Sequence, residues 1–171
     1  MKSLKTLRLT LPMMFAALML TVAGAMSTAS ATTTRWVYQN AFEGNCLTYS
    51  GTTSNVWSGP CDGATVAWYW GASWTDNTSG VTLRQLKAWY VTGDLCLTTD
   101  WKTDTNAVWT SPCNTGNDGQ YWSADSNMIT NVPWLSASHL RTSANGDAVY
   151  STTYAQPGIE SSRWTWYGTH N

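Results

Sequence analysis

Charge is scarce in this chain: 9 basic and 10 acidic side chains make up 11% of 171 residues, and 2 residues are histidine. So little positive charge excludes the basic stripe with which proteins neutralise nucleic-acid phosphates. Long apolar runs are also missing, apart from one between Leu11 and Gly24 that Pro12 and Thr21 interrupt. A spanning helix needs about 20 apolar residues, so no membrane insertion is expected. The sequence contains no P-loop, GxGxxG, HExxH, EF-hand or Gly-x-Ser-x-Gly pattern, each of which marks a specific chemistry. The two histidines, His139 and His170, and scattered carboxylates such as Glu43 and Glu160 form no catalytic spacing. The chain is read as a non-enzyme without a cofactor.

What is present begins with an address. Lys2, Lys5 and Arg8 precede the apolar run, and Ala29-Ser30-Ala31 supplies the small residues of a cleavage site, so residues 1–31 read as a secretory signal peptide and the protein as extracellular. Residues 32–171 are the right length for one domain. They hold six cations against ten carboxylates, a formal net charge of -4, which again disfavours nucleic acid and anionic lipid. All 12 tryptophans fall in this part, among many Thr, Ser, Asn and Gly. That mixture favours short strands and turns, and the domain is expected to be all-β. "LKAWYV" at 86–91 alternates and reads as a strand.

The chain also repeats itself. "CLTYSGTTSNVWSGPC" from Cys46 to Cys61 and "CLTTDWKTDTNAVWTSPC" from Cys96 to Cys113 are one segment written twice. Exported cysteines persist as disulfides, and the repeat pairs Cys46 with Cys61 and Cys96 with Cys113. Each crosslink would stabilise the fold by about 3 kcal/mol through loop closure. Neither interval has the close spacing of a zinc knuckle, so no metal is expected. A third copy runs from His139 to Trp166, with Leu140 in the first cysteine position. Inside it, either "AVYST" at 148–152 or Tyr154-Ala155-Gln156-Pro157 could match "AVWTSP". The closing residues of the copies, Trp70, Trp122 and Trp166, lie 52 and 44 residues apart, leaving room for about four strands each. Three such units imply a closed barrel capped by hairpins, a β-trefoil with lobes at roughly 32–80, 81–127 and 128–171.

These motifs resemble the ricin-type β-trefoil lectin family, whose Gln-x-Trp signature stands here at Gln120 and Trp122. The resemblance implies that the signature belongs to the core, with Gln120 tying down backbone and Trp70, Trp122 and Trp166 buried. It also implies a sugar site in each lobe, needing an Asp two residues after the first Cys, an aromatic before Pro-Cys and an Asn before the Gln. The chain has Thr48, Thr98 and Thr142 at the first position, Gly59 and Ser111 at the second, and Gly119 at the third. The family's usual site is therefore absent.

Carboxylates beside indoles offer a substitute. Asp100-Trp101 supplies a hydrogen-bond acceptor and a stacking face, with Trp109 a second candidate for the face; Asp62 and Asp118 are further acidic neighbours. Trp57, Trp74, Trp109 and Trp134 are expected at the surface, because a small core cannot readily hide so many indoles, and exposed Trp is typical of binding surfaces. The functional expectation is a secreted module binding glycan through a non-classical site, formed by Asp100, Trp101 and Trp109. A protein-binding adaptor in a secreted, toxin-like assembly is the alternative, with "TTTRWVYQN" at 32–40 as a segment that could add to a partner's sheet. A trefoil protease inhibitor is a third class, for which no loop stands out.

Overall fold

Each Cys-Leu-Thr step becomes the first strand of a hairpin, because alternation sends Leu inward while Cys and Thr face outward. The computed structural model describes residues 33–77, 79–131, 138–153 and 161–171. The expected signal peptide, Trp134, Glu160 and the 154–157 segment lie outside the described residues. Lobe one holds β1 (Trp36–Asn40), β2 (Cys46–Tyr49), β3 (Val56–Gly59) and β4 (Trp68–Thr75). Lobe two holds β5 (Thr82–Ala88), β6 (Leu95–Thr98), β7 (Thr105–Ala107), β8 (Trp109–Pro112) and β9 (Tyr121–Ser123). Lobe three holds β10 (Thr130–Asn131), β11 (Ser138–Thr142), β12 (Val149–Thr152) and β13 (Trp166–His170).

Six strands stand around a barrel in the order β13-β1-β4-β5-β9-β10, each neighbouring pair antiparallel. β13 pairs with β1 from Trp36↔His170 to Asn40↔Trp166, joining the two ends of the domain. The hairpins β2-β3, β6-β8 and β11-β12 cover one end. They are tied in a ring by the Asn55↔Trp109 and Trp57↔Ala148 bridges and by the β7-β12 pairing.

The core repeats in three layers. Leu47, Leu97 and Leu140 are each fully buried, and Val56, Val108 and Val149 join them in the core from the return side of the hairpins. Burial of such a side chain is worth about 1.5–3 kcal/mol. Below them lie Trp68, Trp122 and Trp166. Each donates its indole N–H to the carbonyl of its lobe's leucine at 2.9 Å, Trp68 to Leu47, Trp122 to Leu97 and Trp166 to Leu140. A buried indole needs such an acceptor.

This triplet corrects two sequence expectations. The tryptophan that closes lobe one is Trp68, not Trp70: only Trp68 reaches the leucine carbonyl, and Trp70, two residues further along β4, is half-buried against the edge of the core. In lobe three Leu140 matches the leucines, so His139 stands in the first cysteine position and Arg141, not Thr142, takes the place of Thr48 and Thr98. The "AVYST" register is the one adopted, since Val149 packs where Val56 and Val108 do. Disulfides Cys46–Cys61 and Cys96–Cys113 fasten lobes one and two, each with Cα atoms 5.0 Å apart.

Candidate functional site

The positions at which the resemblance leads one to expect sugar contacts lie on the outward face of each hairpin. In lobe one, Thr48 is opposite Trp57 and Cys46 opposite Gly59. Thr48 turns its hydroxyl back to the Cys46 carbonyl at 2.9 Å. Trp57 is 36% exposed and lies across Gly59, where an added Cβ would meet the indole Nε1 at 2.6 Å. Glycine before Pro-Cys therefore makes room for an aromatic borne two residues earlier.

Lobe two repeats the register, with Thr98 opposite Trp109 and Cys96 opposite Ser111. Its polar groups are consumed internally. The fully buried Gln120 donates through Nε2 to Ser111 Oγ at 2.9 Å, the Pro112 carbonyl at 3.0 Å and Thr98 Oγ1 at 3.2 Å. Its Oε1 accepts from the Asn114 backbone N–H at 2.7 Å and from Gln85 Nε2 at 3.3 Å. The two hydroxyls are 2.8 Å apart. Gly119, where the family usually has Asn, could hold no side chain, because its Cβ would collide with the Thr99 carbonyl.

Lobe three fills the same space differently. Arg141 is opposite Tyr150, and its guanidinium lies 5.2 Å from the Tyr150 ring and 5.1 Å from the Trp164 ring. Trp164 occupies the glutamine position and is buried. His139 is half-buried, with Nδ1 at 3.0 Å from Thr130 Oγ1, and burial lowers its pKa from the ordinary 6.5.

The loop after β6 carries the residues singled out in the sequence. Asp100 pairs with Lys102 at 2.8 Å, which holds the carboxyl below its usual pKa and keeps it an acceptor. Trp101 has φ of 51°, a left-handed conformation uncommon for a bulky residue. Its Nε1 is buried without a hydrogen-bond partner. Trp109 opens β8, half-buried. Of the other tryptophans expected at the surface, Trp74 is 38% exposed. Sequence reasoning missed the common feature, an aromatic at one register in all three lobes, Trp57, Trp109 and Tyr150. The recurring Val-aromatic pair at 56–57, 108–109 and 149–150 was the available signal.

Trp36, within the segment expected to add to a partner's sheet, is instead paired inside this domain with β13, its ring 4.6 Å from His170. Among the described residues there is no cluster of His, Cys, Asp and Glu fit for a metal ion, and no helix long and apolar enough to cross a membrane.

No protein-family model and no curated protein matches the chain. Among solved structures it is similar to an earthworm R-type lectin C-half in complex with GalNAc, with a TM-score of 0.54 at 11% identity, covering 80% of this chain and 98% of that one. It is also similar to an earthworm lectin C-terminal domain mutant in complex with 6'-sialyllactose, with a TM-score of 0.53 at 13% identity and the same coverage of 80% and 98%. The chain has the β-trefoil fold of these R-type lectin domains.

Proposed function

We propose that this is a secreted, non-catalytic lectin-like module that binds carbohydrate through a non-classical site on lobe two. Asp100 accepts hydrogen bonds from sugar hydroxyls, and Trp109 or Trp101 supplies the stacking face. The carrying observation is the loop after β6, where a bulky residue held at positive φ and an unpartnered buried indole N–H accompany an ionised carboxylate. Strained backbone and unsatisfied donors gather at ligand sites because binding can use them. The earthworm domains of the same fold bind glycans, which supports the ligand class. A glycan array on the wild type, followed by Asp100→Ala, should show binding at least tenfold weaker with the melting temperature unchanged. Array binding untouched by Asp100→Ala, Trp101→Ala and Trp109→Ala would retire the site.

The closure of all three usual sugar spaces favours a second reading, a protein-binding adaptor of a secreted, toxin-like assembly. A native pull-down that recovers no secreted partner, beside a clear array hit, excludes it.

A further inference from the structure

The uncovered end of the barrel breaks the three-fold pattern that the rest of the core obeys. By strand register, Gln39, Lys87 and Thr130 are equivalent, since each faces its lobe's Cys46, Cys96 or His139. One residue before them stand Tyr38, Leu86 and Ile129, and three before them Trp36, Arg84 and Asn127. Two residues after the closing tryptophans stand Trp70, Ala124 and Gly168. The last two sets form one rung around the barrel mouth, and all six residues line a cleft of about 510 Å³ whose floor includes Trp122 and Trp166.

Lobe one fills its share of that rung with two indoles, one of which, Trp36, also covers Gly168, where an added Cβ would meet the indole at 3.3 Å; lobe two contributes only the methyl of Ala124, and the hollow opens beside it. The hollow is polar at its rim, where Arg84 and Asp125 stand among Thr82, Ser123 and Asn127. Neither charge makes an ion pair among the described residues. The next layer down breaks symmetry too. Tyr38 replaces the aliphatic Leu86 and Ile129, is 1% exposed, lines the cleft, and makes no hydrogen bond of ordinary geometry through its hydroxyl. Packing alone would be served by another aliphatic, since a buried hydroxyl without a partner is destabilising. Burial raises its pKa, an effect the Trp70 side chain, its ring 6.3 Å away, offsets in part. Ser126 and Asn127 at the rim have φ of 55° and 59°.

We infer that the barrel mouth is a binding site for a pyranose, with the sugar's apolar face on Trp36 and Trp70 and its hydroxyls toward Arg84, Asp125, Asn127 and Tyr38. One cation and one carboxylate leave the cleft without net charge, which suits a neutral ligand whose hydroxyls both donate and accept. The half-buried indole faces suit the C–H side of a sugar ring. This site keeps the ligand class proposed above and adds a location away from the hairpin faces.

The test is a titration of the disulfide-bonded full chain with methyl pyranosides of galactose, glucose, mannose and N-acetylglucosamine, following assigned indole N–H resonances by NMR. At least one glycoside should move the Trp36 and Trp70 resonances, with affinity at least tenfold weaker in Trp70→Ala and in Arg84→Ala and unchanged in Tyr90→Ala, an exposed aromatic that does not line the cleft. Arg84 is an exposed strand position, so its variant tests the site even if Trp70→Ala fails to fold. Movement confined to Trp57, Trp101 and Trp109, lost in Trp109→Ala, overturns the mouth site while leaving the lobe-two reading standing. Movement at the mouth alone supports the mouth and sinks lobe two. Mouth shifts that persist undiminished in Arg84→Ala, or no shift with any glycoside, overturn the inference.

Discussion

Lobes two and three solve the same packing problem with different outer chemistry. Lobe two ties its hairpin with Cys96–Cys113 and a glutamine that gathers five hydrogen bonds around Gln120. Lobe three has His139 where the cysteine would be, Trp164 in place of the glutamine, and Arg141 held between two aromatic rings. Inward, the lobes are alike: leucine, valine and a tryptophan whose indole N–H meets the leucine carbonyl at 2.9 Å. The trefoil thus depends on the inward half of each repeat, and the outward half is open to exchange.

The largest effect should come from breaking what the lobes share. Trp122→Ala and Trp166→Ala each remove a buried indole and its hydrogen bond, and each should cost about 3–5 kcal/mol by chemical denaturation. Trp70→Ala should cost clearly less, since Trp70 is half-buried. If Trp70→Ala were as damaging as Trp68→Ala, the assignment of Trp68 to the core triplet would be wrong.

Next come the features that distinguish lobe two. Replacing Cys96 and Cys113 together with serine should lower stability by about 3 kcal/mol, on the chain-entropy account of a closed loop. Non-reducing peptide mapping of the wild type should recover only the Cys46–Cys61 and Cys96–Cys113 peptides, with no free thiol. A smaller loss, about 1–3 kcal/mol, is expected for Gln120→Val. Valine is what lobe one carries at that position, as Val66; in lobe two the Thr98 and Ser111 hydroxyls would still have each other, but the Asn114 N–H and the buried Gln85 side-chain amide would be stranded. A neutral Gln120→Val would mean that water enters and satisfies them.

The inward half of the repeat was legible in the sequence because it is written in types that only burial explains: Cys-Leu-Thr, Val-aromatic, Pro-Cys. Lobe one misled at its signature, where "WYW" offers two tryptophans and only hydrogen bonding to Leu47 selects Trp68. Lobe three misled at its start, because neither cysteine is there to mark the register and His139 resembles no cysteine. The hairpin-face aromatics could have been read from the Val-aromatic pairs. The barrel mouth could not, since Trp36, Arg84, Asn127, Trp70, Ala124 and Gly168 share no type, and only strand register brings them to one rung.

The smallest effect tests the substitution of His139 for cysteine. Burial lowers the His139 pKa from 6.5 in the folded chain, so the fold prefers the neutral ring and the unfolded chain binds a proton more readily. The sign of the linkage follows: the contribution is fully present above the unfolded value and is lost as pH falls through the depressed folded value. Stability should therefore decline on acidification from pH about 7 to about 5. Lobes one and two have disulfide-bonded cysteines at the equivalent positions, which do not titrate, so the effect is specific to lobe three. His139→Gln keeps a polar partner for Thr130, whose hydroxyl lies 3.0 Å from His139 Nδ1, and removes the titration. Denaturation curves over that range should show a shallower decline for His139→Gln than for the wild type. Parallel curves for the two proteins would show that His139 contributes nothing to the acid sensitivity of lobe three.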